Sequence, residues 1–143
     1  MRSFVIAVFI AAFFMSPAEA RHHRHHHRHI HYDYSRSDSR IVSHPAGCPG
    51  RAFCGCGVSV RVFGHPIRSL YLAANWLRFP RTQPGAGMVA VRSHHVMYIM
   101  DYSGNGIATV YDPNSGGHQT RIHTRNISRY RIVNPHGSHL ASR

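Results

Sequence analysis

The chain has 143 residues, with 17 Lys and Arg and 15 His against five Asp and Glu. Every basic residue is Arg and the only Glu is Glu19, so Asp33, Asp38, Asp101 and Asp112 are all the other side-chain carboxylates. That scarcity argues against a glycosidase, which needs two carboxylates flanking the bond, and against a hard-cation site of oxygen ligands.

The Arg excess favours anionic partners such as an envelope polymer, lipid head groups or nucleic acid. Part of it is also what a biased genome composition produces. No zinc-finger, RRM or KH spacing is present, so no specific nucleic-acid partner is expected.

Residues 1–20, MRSFVIAVFIAAFFMSPAEA, start with Arg2, run apolar from Phe4 to Met15 and end in Ala-Glu-Ala. This is the pattern of a secretory signal cleaved near Ala20. The apolar run is shorter than the ~20 residues that span a bilayer. The mature chain is therefore expected to be exported, periplasmic or extracellular, with no transmembrane segment.

Residues 21–46 are rich in His and Arg, with seven His between positions 22 and 31. They hold almost no apolar residues and no helical or strand period, so they are expected to be disordered. Such a tract can take up divalent metal weakly, without one defined geometry. Below about pH 6.5 its imidazoles gain charge and tighten binding to polyanions.

The folded domain is expected over residues 47–135, with 136–143 a flexible tail. Residues 47–57, GCPGRAFCGCG, read as a constrained loop running into a short element. Cys48, Cys54 and Cys56 are the three cysteines, and an odd number leaves a candidate free thiol in an oxidising compartment. A Cys54–Cys56 bridge across Gly55 alone would be strained, so Cys48 is expected to pair with Cys54 or with Cys56.

Residues 66–79, PIRSLYLAANWLRF, put Leu70, Ala73, Ala74 and Leu77 on one helical face, with Pro66 at the start and Pro80 past the end. Trp76 within it reads as core. From Met88 onward MVAV, HVMYIMDY, IATVYD, TRIHT and YRIV are short β-branched and aromatic runs divided by Gly, Asn, Ser and Pro. Asn105-Gly106 is a hairpin signal. The fold class is α+β: a Cys-bearing loop or helix and an amphipathic helix, then a four- to five-stranded, mostly antiparallel sheet.

A thiol nucleophile needs a base in hydrogen-bond reach and a third group to orient that base. In a hairpin centred near Gly104–Gly106, His95 at the head of one strand comes opposite a position near Asn114 on the next. Asp112, two residues away on the same face, competes for the orienting role. His95 followed by Val96 opens a strand, and His94 would then point to the opposite face.

Cys54-Gly55, Pro84-Gly85-Ala86-Gly87-Met88-Val89 opening the sheet, His95-Val96, and Asp112 and Asn114 before Gly116-Gly117 together resemble the CHAP and NlpC-type branch of papain-like cysteine amidohydrolases. The resemblance covers roughly residues 47–133 and rests on order and spacing. It implies a papain-like fold and cleavage of amide bonds through a thioester, typically in peptidoglycan peptides, with no resident cofactor. Cys54 would be the nucleophile, favoured as thiolate by a helix N-terminus and an imidazolium. His95 would be the base and then the acid, and Asn114 or Asp112 would hold the other ring N–H. The backbone N–H of Cys54 would be one oxyanion donor. The Gly- and Val-rich run after Cys54 is a poor helix by propensity, and without a helix the dipole argument for Cys54 fails; Cys56 is the competing nucleophile or the disulfide partner.

Each piece also has a plainer reading. A strand-opening His is ordinarily half-exposed, Asp-Pro-Asn-Ser-Gly-Gly is a good turn, and Gly-rich Cys segments in exported proteins are usually disulfide frameworks. The alternative function is a non-catalytic, exported Arg- and His-rich protein that binds anionic envelope polymer, divalent metal, or both. Single-stranded nucleic acid held by Arg with Tyr and Phe is a third, weaker possibility, and a zinc site from Cys54, Cys56 and His95 is conceivable, although C-x-C is not the usual spacing.

Overall fold

The structure, a computed structural model, describes residues 39–137. The expected signal segment, the His-rich run through residue 38 and residues 138–143 lie outside the described residues. The elements in chain order are strand β1 (Arg40–Val42), helix α1 (Cys54–Phe63), two 3₁₀ segments (Arg68–Leu70 and Ala73–Arg78), and strands β2 (Val89–Arg92), β3 (His95–Gly104), β4 (Ile107–Ser115), β5 (Gln119–Asn126) and β6 (Arg131–Val133).

The strands form one six-stranded sheet in the order β1-β5-β4-β3-β2-β6, antiparallel at every junction. The β3–β4 hairpin closes through Asn105 and Gly106, both at positive φ (50° and 75°), with Gly104 opposite Ile107. That turn matches the right-handed twist of the strands.

Side chains alternate across the sheet and both faces are apolar. Val89, Val91, Val96 and Val133 pack with Val58 of α1 and with Leu70, Ala73 and Trp76 of the 3₁₀ segments. Ala90, Met97, Ile99, Ala108 and Val110 pack on the other face with Ile127 and Ile132. Among the described residues no helix is long and apolar enough to cross a membrane.

Two local features differ from the sequence expectation. The sheet has six strands because Arg40–Val42 pairs with Thr120–Ile122 of β5, so the domain begins before residue 47. It also runs on through His136 and Gly137, whose backbone N–H groups bond to Asn134. The stretch 66–79 is two 3₁₀ segments rather than one helix. The chain is extended at Leu72 (φ −78°, ψ 125°), and the carbonyl of Leu70 accepts from Trp76 Nε1 at 2.9 Å instead of from a helical N–H.

The Cys-bearing segment is the helix α1, which forms despite two glycines and three valines. Gly55 and Gly57 are there for close approach. A Cβ on Gly55 would fall 2.1 Å from the Leu70 carbonyl oxygen, and one on Gly57 would fall 2.5 Å from Cβ of Pro113. Burial of Cys54, Cys56 and Val58 on that contact outweighs poor intrinsic propensity.

Candidate active site

Cys54 is the first residue of α1 and only 6% exposed. Ala52, in the left-handed region at φ 50°, turns the chain into the helix. A β-carbon is disfavoured there, so the packing around Phe53, which is fully buried, holds the strained turn. Cys48 and Cys56 form a disulfide, and Cys54 is the free thiol among the described residues. The bridge resolves the pairing left open by the sequence. It also rules out a zinc site that uses Cys56, and Cys56 as the nucleophile while the bridge is intact.

His95 opens β3. Its Nε2 donates to Asp112 Oδ1 at 2.6 Å. Asp112, in β4, has no exposed surface, and a buried carboxylate is costly unless its oxygens are satisfied. Here they are: His123 Nε2 donates to Oδ2 at 2.9 Å, and an Arg125 guanidinium nitrogen lies 3.4 Å from the same oxygen.

Burial works against charge on both members of the pair, and the partners win. Burial pushes the Asp112 carboxyl up, but the bonds from His123 and His95 and the charges of His95 and Arg125 hold it at about 2. Burial pushes His95 down, yet the Asp112 bond, an interaction with the Cys54 thiol and the Asp112 charge raise it to about 9. With Nε2 given to Asp112, Nδ1 is the ring nitrogen left over.

Asn114 is not in this chain of contacts. The Tyr98–Tyr111 pairing, continued outward, would set position 95 opposite 114. But the β4–β5 pairing is interrupted between Asp112 and Ser115, and Asn114 sits at φ 60°. Its Oδ1 accepts from His118 Nδ1 at 3.1 Å. Of the two candidates, Asp112 is the one that meets His95.

His123 and Arg125 did not emerge from the sequence as site residues. The signal was present: alternation in TRIHTRN puts 121, 123 and 125 on one face of a strand. Only the observed register, with Val110 opposite His123 and Asp112 opposite Arg121, carries that face to Asp112.

A cavity of about 380 Å³ opens beside His95 and Asp112, with His94 and Asn114 also in its wall. Among the described residues no group of three or more His, Cys, Asp or Glu is arranged to hold a metal ion. The expected metal capture by the His-rich run lies outside the described residues.

No family model, curated protein or solved structure matches the chain. Cys54 is a free thiol at a helix start, and His95 has its Nε2 held by a buried, ionised carboxylate; a thiol nucleophile and its base could be built from these two groups. The contact with Asp112 keeps His95 protonated at neutral pH, its pKa raised to about 9.

Proposed function

We propose that this protein is an exported cysteine amidohydrolase of the papain-like kind, acting on amide bonds such as those of cell-wall peptidoglycan peptides. The observation that carries the reading is the 2.6 Å bond from His95 Nε2 to the fully buried Asp112, in a domain whose free thiol, Cys54, opens helix α1. The Cys48–Cys56 disulfide supports an oxidising compartment, and thus export. The α+β architecture, with a Cys-bearing helix ahead of an antiparallel sheet whose strand opens on the histidine, supports the papain-like assignment.

The chemistry balances within these residues. The Cys54 thiolate attacks the amide carbonyl carbon and forms a C–S bond. The backbone N–H of Cys54, unpaired within the helix because it lies in the first turn, donates to the oxyanion. The C–N bond then breaks and the proton on His95 Nδ1 passes to the leaving nitrogen. Water attacks the thioester, His95 takes its proton, and the thiolate leaves as the carboxylic acid forms. Asp112 stays ionised throughout and positions the ring; His123 and Arg125 act through Asp112.

The test is incubation of the mature chain with defined peptidoglycan peptides, with products read by mass spectrometry, beside Cys54→Ala and His95→Ala. Cleavage by the wild type alone, with both variants folded, is the expected result. Equal product from Cys54→Ala would sink the assignment. Intact binding of anionic polymer without cleavage by any of them would return the binding-protein reading.

A further inference from the structure

The cavity beside His95 has two arginines in its wall. Arg92, His94 and Arg125 line it, with Asn114 and Tyr130. Its one carboxylate, Asp112, is already committed, Oδ1 to His95 and Oδ2 to His123 and Arg125. The other carboxylate side chain among the described residues, Asp101, is exposed and is not in the cavity wall. Among the described residues, then, Arg92 has no acidic partner. Its guanidinium carbon lies 5.4 Å from the centre of the Tyr130 ring, which supports the cation on one side and leaves the donor edge open. Asn114 accepts from His118 through Oδ1, so its amide nitrogen is the group left to donate.

We propose that this cavity binds the carboxylate of the substrate's leaving half, so that the amide cleaved joins an acyl group to an amino acid or short peptide ending in a free carboxylate. This rests on the cysteine-hydrolase reading. The direction follows from proton transfer. His95 protonates the leaving nitrogen, so that nitrogen lies over the ring, and whatever it carries extends into the space that begins at His95. A space of about 380 Å³ is at the small end of ligand pockets and suits an amino acid or a dipeptide end. An Arg fork matches a planar carboxylate with two parallel hydrogen bonds.

The experiment uses the full wild-type chain and a matched pair of probes, N-acetylglycyl-alanine and N-acetylglycyl-alaninamide. Binding is followed at the Arg Nε–Hε NMR signals, and both probes are also offered as substrates. The acid is expected to bind about tenfold more tightly than the amide, with the advantage shrinking as salt is raised. Arg92→Gln should erase the preference and Arg92→Lys should keep part of it. Equal affinity for the two probes in the wild type overturns the proposal without reliance on any variant, and so does a preference that survives Arg92→Gln. Cleavage is scored separately. A binding preference without turnover of any amide counts against the hydrolase and leaves the carboxylate site. Turnover of both probes with equal affinity does the reverse.

Discussion

Gly57 of α1 lies directly against Pro113 of β4, so close that a Cβ on Gly57 would be 2.5 Å from Cβ of Pro113. Gly57 is about one turn past Cys54, and Pro113 follows Asp112. One contact therefore sets the spacing between the helix that bears the thiol and the strand that bears the acid.

Gly57→Ala should push α1 away from β4. Overpacking of this kind costs about 1–3 kcal/mol, whereas a shift of about 1 Å in reacting groups costs on the order of 100-fold in rate. The expected outcome is a modest fall in Tm with a much larger fall in kcat/KM, measured on the same preparation. A variant with wild-type rate would show that this contact does not position the thiol.

Asp112 and Asn114 should separate cleanly under mutation. Asp112→Asn removes the ionised acceptor of His95 and His123, so cleavage should drop by about 10³-fold or more, with slower alkylation of Cys54 at neutral pH. It should also destabilise the fold by about 3–5 kcal/mol, since the cations facing residue 112 lose their counter-charge. Asn114→Ala should leave Cys54 reactivity and stability near wild type, because Asn114 bonds to His118. A larger loss of Cys54 reactivity in Asn114→Ala than in Asp112→Asn would reverse the roles.

Stability should depend on pH through the same pair. His95 is raised from 6.5 to about 9, so its contribution is fully present below 6.5 and is lost as pH rises through about 9. Asp112 is lowered from 3.8 to about 2, so its contribution is present above 3.8 and is lost as pH falls through about 2. The pair stabilises most between 3.8 and 6.5. Denaturant melts across pH should show stability declining from 6.5 toward 9 in the wild type, and a flatter profile in Asp112→Asn. Cleavage should also fall above about 9, where the leaving nitrogen loses its proton donor.

Iodoacetamide on the non-reduced protein should label Cys54 and spare Cys48 and Cys56, which are bridged. His95→Ala should slow this labelling, because the proposed base is removed. Reduction opens a loop with a sequence separation of 8 and should destabilise the domain by about 2–3 kcal/mol, freeing the Cys48 loop from α1. Peptide mapping gives the sites, and labelling of Cys56 before reduction would contradict the pairing.

Local pattern determined much of this molecule. Strand alternation, the Asn105-Gly106 turn and the hairpin that follows from it are short-range, because the period and the turn chemistry are carried by neighbouring residues. That was enough to order Cys54, His95 and a polar residue near 112–114 along the chain. Tertiary contact decided the rest. The β4 irregularity selected Asp112 over Asn114, and the β5 register brought in His123 and Arg125 from a strand whose partner no local pattern names. Packing also overrode propensity twice. It made a helix of the Gly-rich run after Cys54, since only glycine allows that approach to Leu70 and Pro113, and it broke residues 66–79 into 3₁₀ segments, since the Leu70 carbonyl is spent on Trp76. Propensity is worth tenths of a kcal/mol per residue; burial and buried hydrogen bonds are worth more, and they exist only once distant segments meet.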